Sequence, residues 1–499
     1  MLGRLGLGLR CFDGLFRCRP FIIPLRWIHH HVPRSGRRPE LSDSPPAIAA
    51  DPAGWVMLNK RGIRADDTFI AEADTVASCP VFTGRRHLRV SLKRAPPPAS
   101  TFIYYDFPYS MACEDDKTVI IDEYCKEHED NVIDVSEEKL NKSEEEEEDV
   151  DESEEEEAEN VDEWGIHVIA AHCDSVLLEL NHQRSDHDSI HLLYRQGATQ
   201  PPSLALLPEL DFLTKSEKLY TQQVFSPYSG DTCLVRRGDI LLVELYHMYD
   251  RSLQQDMAEF CLLRHGTRQW ELKEPVPMII HDEGSTERPR TRGGRDTIVP
   301  LGNRFVCWVR YETGFLLCDM GDEESPKVRY VPLPPGVCWD PKEYDDGNPK
   351  YSMNMGAAGA GASAVRFVSV DPHCCCGGPG RSTCVRSRYS FTINTWTMNL
   401  RMDDPLVWVK DGEIHCEELW GQPGYEGLPK EHLQCPIVSL DDPHIVCFLV
   451  ANFPFVSSYE DRKVWMIQLN IKTKALLSAV QYTNDLRGVY HHLPVRIQS

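Results

Sequence analysis

FVCWVRYETGFLLCDMGDEESPKVRYVPLP, residues 305–334, has the clearest strand-and-turn pattern in the chain. It contains three apolar or alternating runs, separated by a turn at residues 312–314 and a second turn from Gly321 to Pro326. Runs of this length between turn residues predict three antiparallel strands in a meander, which is most of one propeller-like blade.

Similar units precede and follow this stretch. Asp403-Asp-Pro405 and Asp441-Asp-Pro443, 38 residues apart, each introduce a strand, and this distance is close to the period of a propeller blade. Asp411-Gly412 is a hairpin signal between the two runs of the fourth unit. The other predicted strands fall in four units, and residues 305–334 are the third unit in chain order. They are 176–180, 190–194 and 203–208 in the first; 240–245, 259–263 and 270–272 in the second; 405–410 and 413–416 in the fourth; and 444–450, 464–469 and 475–480 in the last.

These units predict an all-β fold, a β-propeller-like array of short antiparallel meanders. Trp55–Leu58, His87–Lys93 and Phe102–Tyr105 add strands for a further blade, which gives about five or six blades in all. Closure of such an array leaves few unpaired strand edges. The alternative is a pair of β-sandwich-like domains. We assign residues 51–499 to the propeller-like domain.

An acidic insertion at 134–163 interrupts this domain. Residues 136–163 contain 17 acidic residues and two lysines, a net −15 of the chain's −24, which leaves −9 for everything else. Ordering this run would bring like charges together and bury almost no apolar area, so we expect a disordered insertion between strands. Ser143 and Ser153 precede runs of glutamate and are candidate phosphorylation sites for an acidophilic kinase. A lure for basic partners and a solvated loop are the other interpretations.

Residues 1–50 form a basic leader that we expect to be disordered. Eight arginines face a single acid, Asp13, within residues 1–38, as in a mitochondrial transit peptide. Several glycines weaken a helix there, so a leader without a targeting role is the alternative. We expect an intracellular protein, mitochondrial if the leader targets it and otherwise cytoplasmic or nuclear.

Two further features bear on location. No apolar stretch reaches the roughly 18–20 residues that a membrane span needs, so we predict a soluble protein without a membrane partner. Many of the 18 cysteines, such as Cys307 and Cys318, lie inside apolar strand runs, where cysteine behaves as a small buried hydrophobe. We therefore expect free thiols in a reducing compartment.

Eight short stretches together carry a family resemblance: 55–58, 296–302, 308–309, 314–319, 329–334, 395–397, 403–405 and 418–420. With them the chain resembles the plant family named domain of unknown function 1618, which is expanded in grasses. The resemblance implies a domain core at about 235–375 and a layout similar to that of F-box-associated domains. It implies no activity, because the family's biochemical activity is not established.

One cysteine-rich stretch offers weak candidates for a metal site: His373, Cys374, Cys375, Cys376 and Cys384. Thiolates and imidazole are the ligands that zinc prefers, and a structural site needs four of them. Three adjacent cysteines do not easily point at one ion, and no second CxxC pair is present. We therefore predict a Gly-rich loop with exposed thiols, and no metal or other cofactor.

The remaining motifs carry little chemistry. Arg288–Arg295 is a basic loop without interleaved aromatic residues in an otherwise acidic chain, so no nucleic acid partner is expected. Gly359-Ala-Gly361 lacks the βαβ context of a dinucleotide fingerprint and is interpreted as a linker. Adjacent acids such as Asp441 and Asp442 point to opposite faces of a strand, so each pair is expected to serve its turn.

The sequence therefore predicts a non-enzymatic scaffold that binds an unknown protein partner through loops on one face, as a monomer or weak oligomer. No catalytic residue is assigned. The alternative is a hydrolytic enzyme with its site at the channel of the propeller.

Overall fold

The computed structural model describes most of the compact unit Asp51–Ser499. The described residues are 54–65, 72–81, 86–106, 164–182, 189–196, 200–208, 232–237, 239–264, 266–267, 269–280, 296–337, 349–358, 363–373, 390–402, 405–452, 463–482 and 491–496.

These residues form β-strands almost throughout. The first strands are β1 (Val56–Asn59), β2 (Ile63–Arg64), β3 (Ala77–Val81), β4 (Arg86–Lys93), β5 (Ser100–Asp106), β6 (Trp164–His172), β7 (Ser175–His182), β8 (Ser189–Arg195) and β9 (Ser203–Leu206). The next are β10 (Thr232–Arg237), β11 (Asp239–Asp250), β12 (Gln255–Arg264), β13 (Glu271–Leu272), β14 (Val276–Ile280), β15 (Thr297–Leu301), β16 (Phe305–Arg310), β17 (Gly314–Asp319) and β18 (Lys327–Pro332). The last are β19 (Met353–Ala358), β20 (Ala364–Pro372), β21 (Phe391–Asn399), β22 (Val409–His415), β23 (Gln434–Val438), β24 (Ile445–Ala451), β25 (Val464–Asn470), β26 (Ala475–Tyr482) and β27 (His492–Val495).

Helices are few and short among the described residues. One α-helix, α1 (Cys416–Trp420), follows β22, and two 3-10 turns lie at Ala73–Thr75 and Pro349–Tyr351. None of these helices is long and apolar enough to cross a membrane.

Most of the strands belong to antiparallel meanders. Strands β6–β9, β19–β22 and β23–β26 each form a four-stranded sheet in chain order. A nine-stranded sheet contains two further meanders, β10–β13 and β15–β18, and β14 joins them by pairing with β12 and, in parallel, with β18. The structure thus confirms the predicted all-β array of short antiparallel meanders.

The remaining sheet contains both the first and the last described strand. Its order is β27-β1-β5-β4-β3, with β2 pairing to β5. Strands β1 and β27 are antiparallel, with a register that runs from Val56 opposite Val495 to Asn59 opposite His492. The two ends of the described chain are therefore held together by a strand pair.

The stretch 305–334 forms the three strands that its pattern predicts. Trp308 on β16 lies opposite Leu316 on β17, and Leu316 lies opposite Tyr330 on β18. All six residues of β17 are buried, because both faces of this sheet are covered by neighbouring meanders. A fourth strand, β15, completes the unit.

The hairpin predicted at Asp411-Gly412 is wrong. Both residues lie inside the continuous strand β22, with Gly412 opposite Thr395 of β21 and a register shift between Thr395 and Trp396. The Asp411 carboxylate accepts hydrogen bonds from Arg366 Nη2 at 2.7 Å and from Thr395 Oγ1 at 2.9 Å. These contacts with neighbouring strands hold the Asp-Gly pair within a bulged strand, so the pair does not form a turn.

Apolar clusters fill the spaces between successive meanders. Among the described residues there are six, and each joins one meander to the next in chain order. One of them packs Trp55 and Met57 of the first sheet against Cys447 and Met466 of the last meander, so the order of packing closes on itself. A pair of β-sandwich-like domains would instead contain two such cores.

Candidate functional site

The first strands of the meanders run side by side. Strand β10 lies between β6 and β15, β19 lies next to β15 and β23, and β27 lies next to β23 and β6. Their carboxyl ends meet. The Arg236 N–H at the end of β10 donates to His172 Nδ1 at the end of β6 (2.9 Å), and Arg496 after β27 donates to Leu440 O after β23 (2.5 Å). We call the side where these six strands end the carboxyl-end face, and the side where they begin the amino-end face.

The carboxyl-end face is closed by internal contacts. Arg236 forms an ion pair with Asp174, and Arg496 Nη1 lies 3.1 Å from Asp441 Oδ1. The Gly54 N–H donates to the other oxygen of Asp441 at 3.0 Å. Asp442 Oδ1 accepts the His444 N–H at 2.8 Å, as its predicted turn role requires. Each of these charged groups is matched within the chain, so none of them is left for a ligand.

A histidine and a cysteine lie together at this face, but they do not form a nucleophile and its base. The Cys173 Sγ lies 3.8 Å from His172 Nε2. Burial, with the charge of Arg236, lowers the pKa of His172 to about 4, and its Nδ1 already accepts a backbone N–H. Burial also raises the pKa of the Cys173 thiol. His172 therefore links the ends of β6 and β10, and its ring has no basic nitrogen that could deprotonate the Cys173 thiol.

The connections that leave the first strands are shorter than those that enter them. Those that join the first to the second strand of a meander, at the carboxyl-end face, are 173–174, 238, 302–304, 359–363 and 439–444. Those that enter the first strands, at the amino-end face, are 107–163, 207–231, 281–296, 333–352, 416–433 and 483–491. The connections that enter the first strands on the amino-end face are therefore longer than those that leave these strands on the carboxyl-end face.

Lys60 is held at the amino-end face by its backbone. It follows β1 directly, and its N–H donates to the carbonyl of His491 at 2.9 Å. Its own carbonyl accepts the Val168 N–H of β6 at 2.7 Å. The side chain is partly buried, whereas His491, just before β27, is exposed. Lys60 is thus fixed between the first residues of β27 and the middle of β6.

Lys350 comes to the same place from another element. It belongs to the 3-10 turn Pro349–Tyr351 that leads into β19, and Ser352 N–H closes this turn on the Pro349 carbonyl at 3.0 Å. Tyr351 packs against the apolar cluster that contains Met57 of β1. We call Lys60, Lys350 and His491 the Lys60 cluster.

Like charges dominate the electrostatics of this cluster. Burial, and then the charge of Lys350, lowers the pKa of Lys60 to about 8. Burial, and then the charges of Lys60 and Lys350, lowers the pKa of His491. Within the described ranges, no carboxylate forms an ion pair with Lys60 or His491. The positive charges of Lys60 and Lys350 at this place attract anions.

A serine and a histidine lie close to this cluster, but they do not have the surroundings of a catalytic pair. Ser100 Oγ is 2.6 Å from His492 Nε2 and also contacts the Tyr482 hydroxyl. Burial, with the nearby His491, lowers the pKa of His492 to about 3. Its Nδ1 is buried without a hydrogen-bond partner among the described residues, so no carboxylate orients the ring or stabilises an imidazolium.

One residue of the predicted cysteine-rich metal candidates, His373, is described. Its Nε2 contacts Thr392 Oγ1, which also lies 3.0 Å from His415 Nδ1. Asp371 accepts hydrogen bonds from Ser369 at 2.8 Å and Asn394 at 2.6 Å, and burial raises its pKa. The described ranges hold no group of three residues placed to bind a metal ion.

The other predicted site residues lie outside the described residues. These are Cys374, Cys375, Cys376 and Cys384, the phosphorylation candidates Ser143 and Ser153, the insertion 134–163, the leader 1–50 and the basic loop 288–295. The nine described cysteines are free thiols, and burial raises the pKa of Cys307 and Cys318 among them.

The Lys60 cluster was not predicted from the sequence. Its three residues lie far apart in the chain, and none belongs to a motif with a fixed spacing. Only the pairing of β1 with β27 and the packing of the turn before β19 bring them together. The one local signal is Lys60 itself, a charge directly after the buried strand β1.

Comparison with protein families gives one match. Residues 308–447 match the family described as "Protein of unknown function (DUF1618)", which confirms the resemblance found in the sequence. The matched range runs from β16 to β24, overlaps the expected core at 235–375 and extends beyond it. No curated protein matches the chain. The family description names no activity, so the function must be argued from the site.

Proposed function

We propose that the protein is a non-enzymatic scaffold that binds a protein partner at its amino-end face. The observation that carries this proposal is the contrast between the two faces. At the carboxyl-end face Arg236 pairs with Asp174 and Arg496 pairs with Asp441, whereas Lys60 and His491 have no carboxylate partner among the described residues. Unmatched charge at the surface of a rigid array is suited to steering and holding a partner.

The packing supports a rigid scaffold. Six apolar clusters follow one another in a closed order, and β1 pairs with β27. We infer from this order that the array is a propeller of six blades, within the predicted range of five to six. Loops that leave such a scaffold are where binding usually resides, and the long connections enter at the amino-end face.

The alternative, a hydrolytic enzyme at the same mouth, finds less support. General acid–base hydrolysis needs a carboxyl, a histidine or another base with a pKa near the working pH. Lys60, with a pKa of about 8, and His491 are the titratable groups nearest this range, but no described carboxylate forms an ion pair with either of them, and the neutral ring of His492 has a pKa of about 3. We therefore prefer binding to catalysis.

Blocking each face separately tests the proposal. A small fluorescent protein inserted after Ser252, in the exposed β11–β12 turn, covers the amino-end face of the full-length chain. A matched insertion after Thr473, in the β25–β26 turn, covers the carboxyl-end face. Exposed turns tolerate such insertions, and thermal unfolding checks that both chains remain folded.

The tagged chains are then recovered from cells, and their bound proteins are quantified by mass spectrometry. We expect a reproducible partner that is lost with the insertion after Ser252 and retained with the insertion after Thr473. A partner lost only with the insertion after Thr473 would show that the wrong face has been chosen. No partner with the unmodified chain would contradict the scaffold itself.

A further inference from the structure

Strand β26 has an open outer edge. It is the last strand of the sheet β23–β26 and pairs on one side with β25. Within the described part of the chain, no backbone group bonds to its other side. Residues 479–481, in the middle of the strand, are exposed. A row of N–H and C=O groups that face solvent is a template on which a further strand can pair.

Edges of this kind are normally protected, and β26 lacks the usual devices. Charged side chains and proline are what keep edge strands from pairing with other chains. The outer strand β22 contains Lys410, Asp411 and Glu413. The outer strand β3 contains Pro80 and lies against β9. Strand β26 reads ALLSAVQY, without a charge, a proline or a glycine. Its edge is therefore open to pairing.

The hydrogen bonds of the neighbouring strands show which way the backbone of this sheet points. The Asn452 N–H donates to Lys463 O at 3.1 Å, and the Ile471 N–H donates to His444 O at 2.8 Å. Between these two bonds, β24 and β25 pair without interruption. Since successive residues of an antiparallel strand turn their backbone groups to opposite sides, the odd-numbered residues of β25 face β24 and the even-numbered ones face β26.

The same alternation locates the free backbone groups of β26. Met466 of β25 lies opposite Val480, so the N–H and C=O of Val480 point toward β25. The N–H and C=O groups of Ala479 and Gln481 therefore point away from the sheet. The pairing with β25 is regular over 478–482, and the register shift lies before this segment. These outward groups thus belong to a regular piece of strand.

A second copy of β26 matches these groups. In a two-fold antiparallel pair centred on Val480, Ala479 of each copy lies opposite Gln481 of the other, and each such pair exchanges both of its hydrogen bonds. Val480, 37% exposed, then lies directly opposite its own copy and makes an apolar contact. A charged residue in such a pair would lie close to its own like charge, and β26 has none.

We infer that the protein forms a weak two-fold dimer in which β26 of one copy pairs antiparallel with β26 of another, centred on Val480. The inference goes beyond the proposed function, because it concerns the outer edge of one meander and not the amino-end face. The dimer is weak because a single strand pair is a small interface, and because each chain carries a net charge of −24.

Sedimentation equilibrium of the full-length chain tests this inference, from about 1 to about 200 µM. We expect the average mass to rise from that of the monomer toward that of the dimer as the concentration increases. Raising the salt from about 50 to about 200 mM should tighten the dimer, because it screens the repulsion between two acidic chains.

Ala479→Pro tests the hydrogen bonds of the edge. The Ala479 N–H points away from β25, so proline at this position leaves the sheet β23–β26 intact and removes one donor from each copy. We expect the dimer to weaken about tenfold or more. Thermal unfolding checks that the variant remains folded.

Charges at position 480 test the two-fold arrangement. Val480→Lys and Val480→Glu should each be monomeric, because like charges would lie directly opposite each other. An equal mixture of the two chains should form a mixed dimer, which a loss of folding in either variant would not allow. Val409→Lys is the matched control, since Val409 is 59% exposed at the start of the other outer strand, β22, and we expect its dimer to be unchanged.

Three results would overturn the inference. The first is an unmodified chain that stays monomeric over the whole range of concentration. The second is a dimer that Ala479→Pro and Val480→Lys leave as tight as before. The third is a mixture of the folded Val480→Lys and Val480→Glu chains that stays monomeric. The face-blocking insertions decide the proposed function separately, because a partner at the amino-end face does not require the dimer.

Discussion

At the residue scale, Lys60 opposes the stability of the fold. Its ammonium is partly buried, Lys350 adds repulsion, and no described carboxylate forms an ion pair with Lys60. Residues that break the rules of packing and charge pairing are found mainly at functional sites, where their cost is balanced by binding. This is the physical reason for placing the binding site here.

Removal of this charge should therefore stabilise the protein. Lys60→Met should raise the free energy of unfolding at pH 7 by about 1–2 kcal/mol, since the apolar side chain avoids the desolvation of a charge. Burial and Lys350 lower the pKa of Lys60 to about 8, below its unfolded value of 10.5. The wild-type chain thus gains stability as the pH rises above 8, and the advantage of the variant should shrink there.

Urea unfolding at pH 7 and pH 9.5 measures this difference. Lys472→Met is the matched control, because Lys472 is exposed in the β25–β26 turn, and we expect no change from it. A Lys60→Met chain less stable than wild type at pH 7 would show that the ammonium supports the fold.

A second residue, Glu259, predicts a pH dependence of the opposite sign. It is 4% exposed on β12, and burial raises its pKa from 4.5 to about 7. Because the folded pKa lies above the unfolded one, wild-type stability should fall as the pH rises from about 4.5 to about 7. Glu259→Gln should be more stable by about 2 kcal/mol at pH 8, with the gap closing toward pH 5.

Chemical denaturation across this pH range tests the prediction, with Glu274→Gln at an exposed position as the control. A stability gap between Glu259→Gln and wild type that does not change with pH would mean that the carboxyl does not titrate in this range.

At the element scale, the sequence predicts strands well where their signals are local. The runs in 305–334 alternate with turns, and β16, β17 and β18 form there. The Asp411-Gly412 prediction failed because tertiary contacts decided the outcome. Arg366, 3% exposed on β20, donates to Asp411, and this long-range pair holds Asp-Gly within a strand. No pattern within β22 itself reveals that contact.

The bulge in β22 depends on a residue without a side chain at position 412. A Cβ added to Gly412 would lie 2.4 Å from Thr395 Oγ1 and 2.9 Å from Ile471 Cγ2. Gly412→Ala should therefore lower the free energy of unfolding by about 2 kcal/mol. Gly421→Ala is the control, because its added Cβ would lie at an ordinary 3.4 Å from the nearest neighbouring atom, the Glu417 carbonyl oxygen. Thermal unfolding of both variants measures this loss, and a Gly412→Ala chain as stable as the Gly421→Ala chain would contradict the close contact.

At the scale of the whole molecule, the closed order of packing depends on β27. Val495 on this strand is 1% exposed and packs between β1 and the second meander. Sequence analysis predicts the all-β class and the succession of short antiparallel meanders, because each meander has its own local pattern. It does not show that β1 pairs with β27, since this contact joins residues more than 400 positions apart. The Lys60 cluster depends on that pairing, so it was missed for the same reason.

Deletion of residues 491–499 should therefore strongly destabilise the protein. The loss exposes β1 as an edge and removes buried apolar area, which should cost several kcal/mol, about 3 or more. A circular permutant that links position 496 to position 55 and opens the chain within 107–163 should remain folded, because β1 and β27 are neighbours. Circular dichroism and thermal unfolding test both chains, and a stable truncated chain would contradict the proposed closure.

Hydrogen–deuterium exchange of the full-length chain, with and without its captured partner, measures directly which face the partner covers. We expect new protection at residues 59–61 and 491–492, where the Lys60 cluster meets β6 and β27. The turns 173–174 and 302–304 at the carboxyl-end face should exchange as before. Protection confined to those turns, with none around Lys60, would contradict binding at the amino-end face.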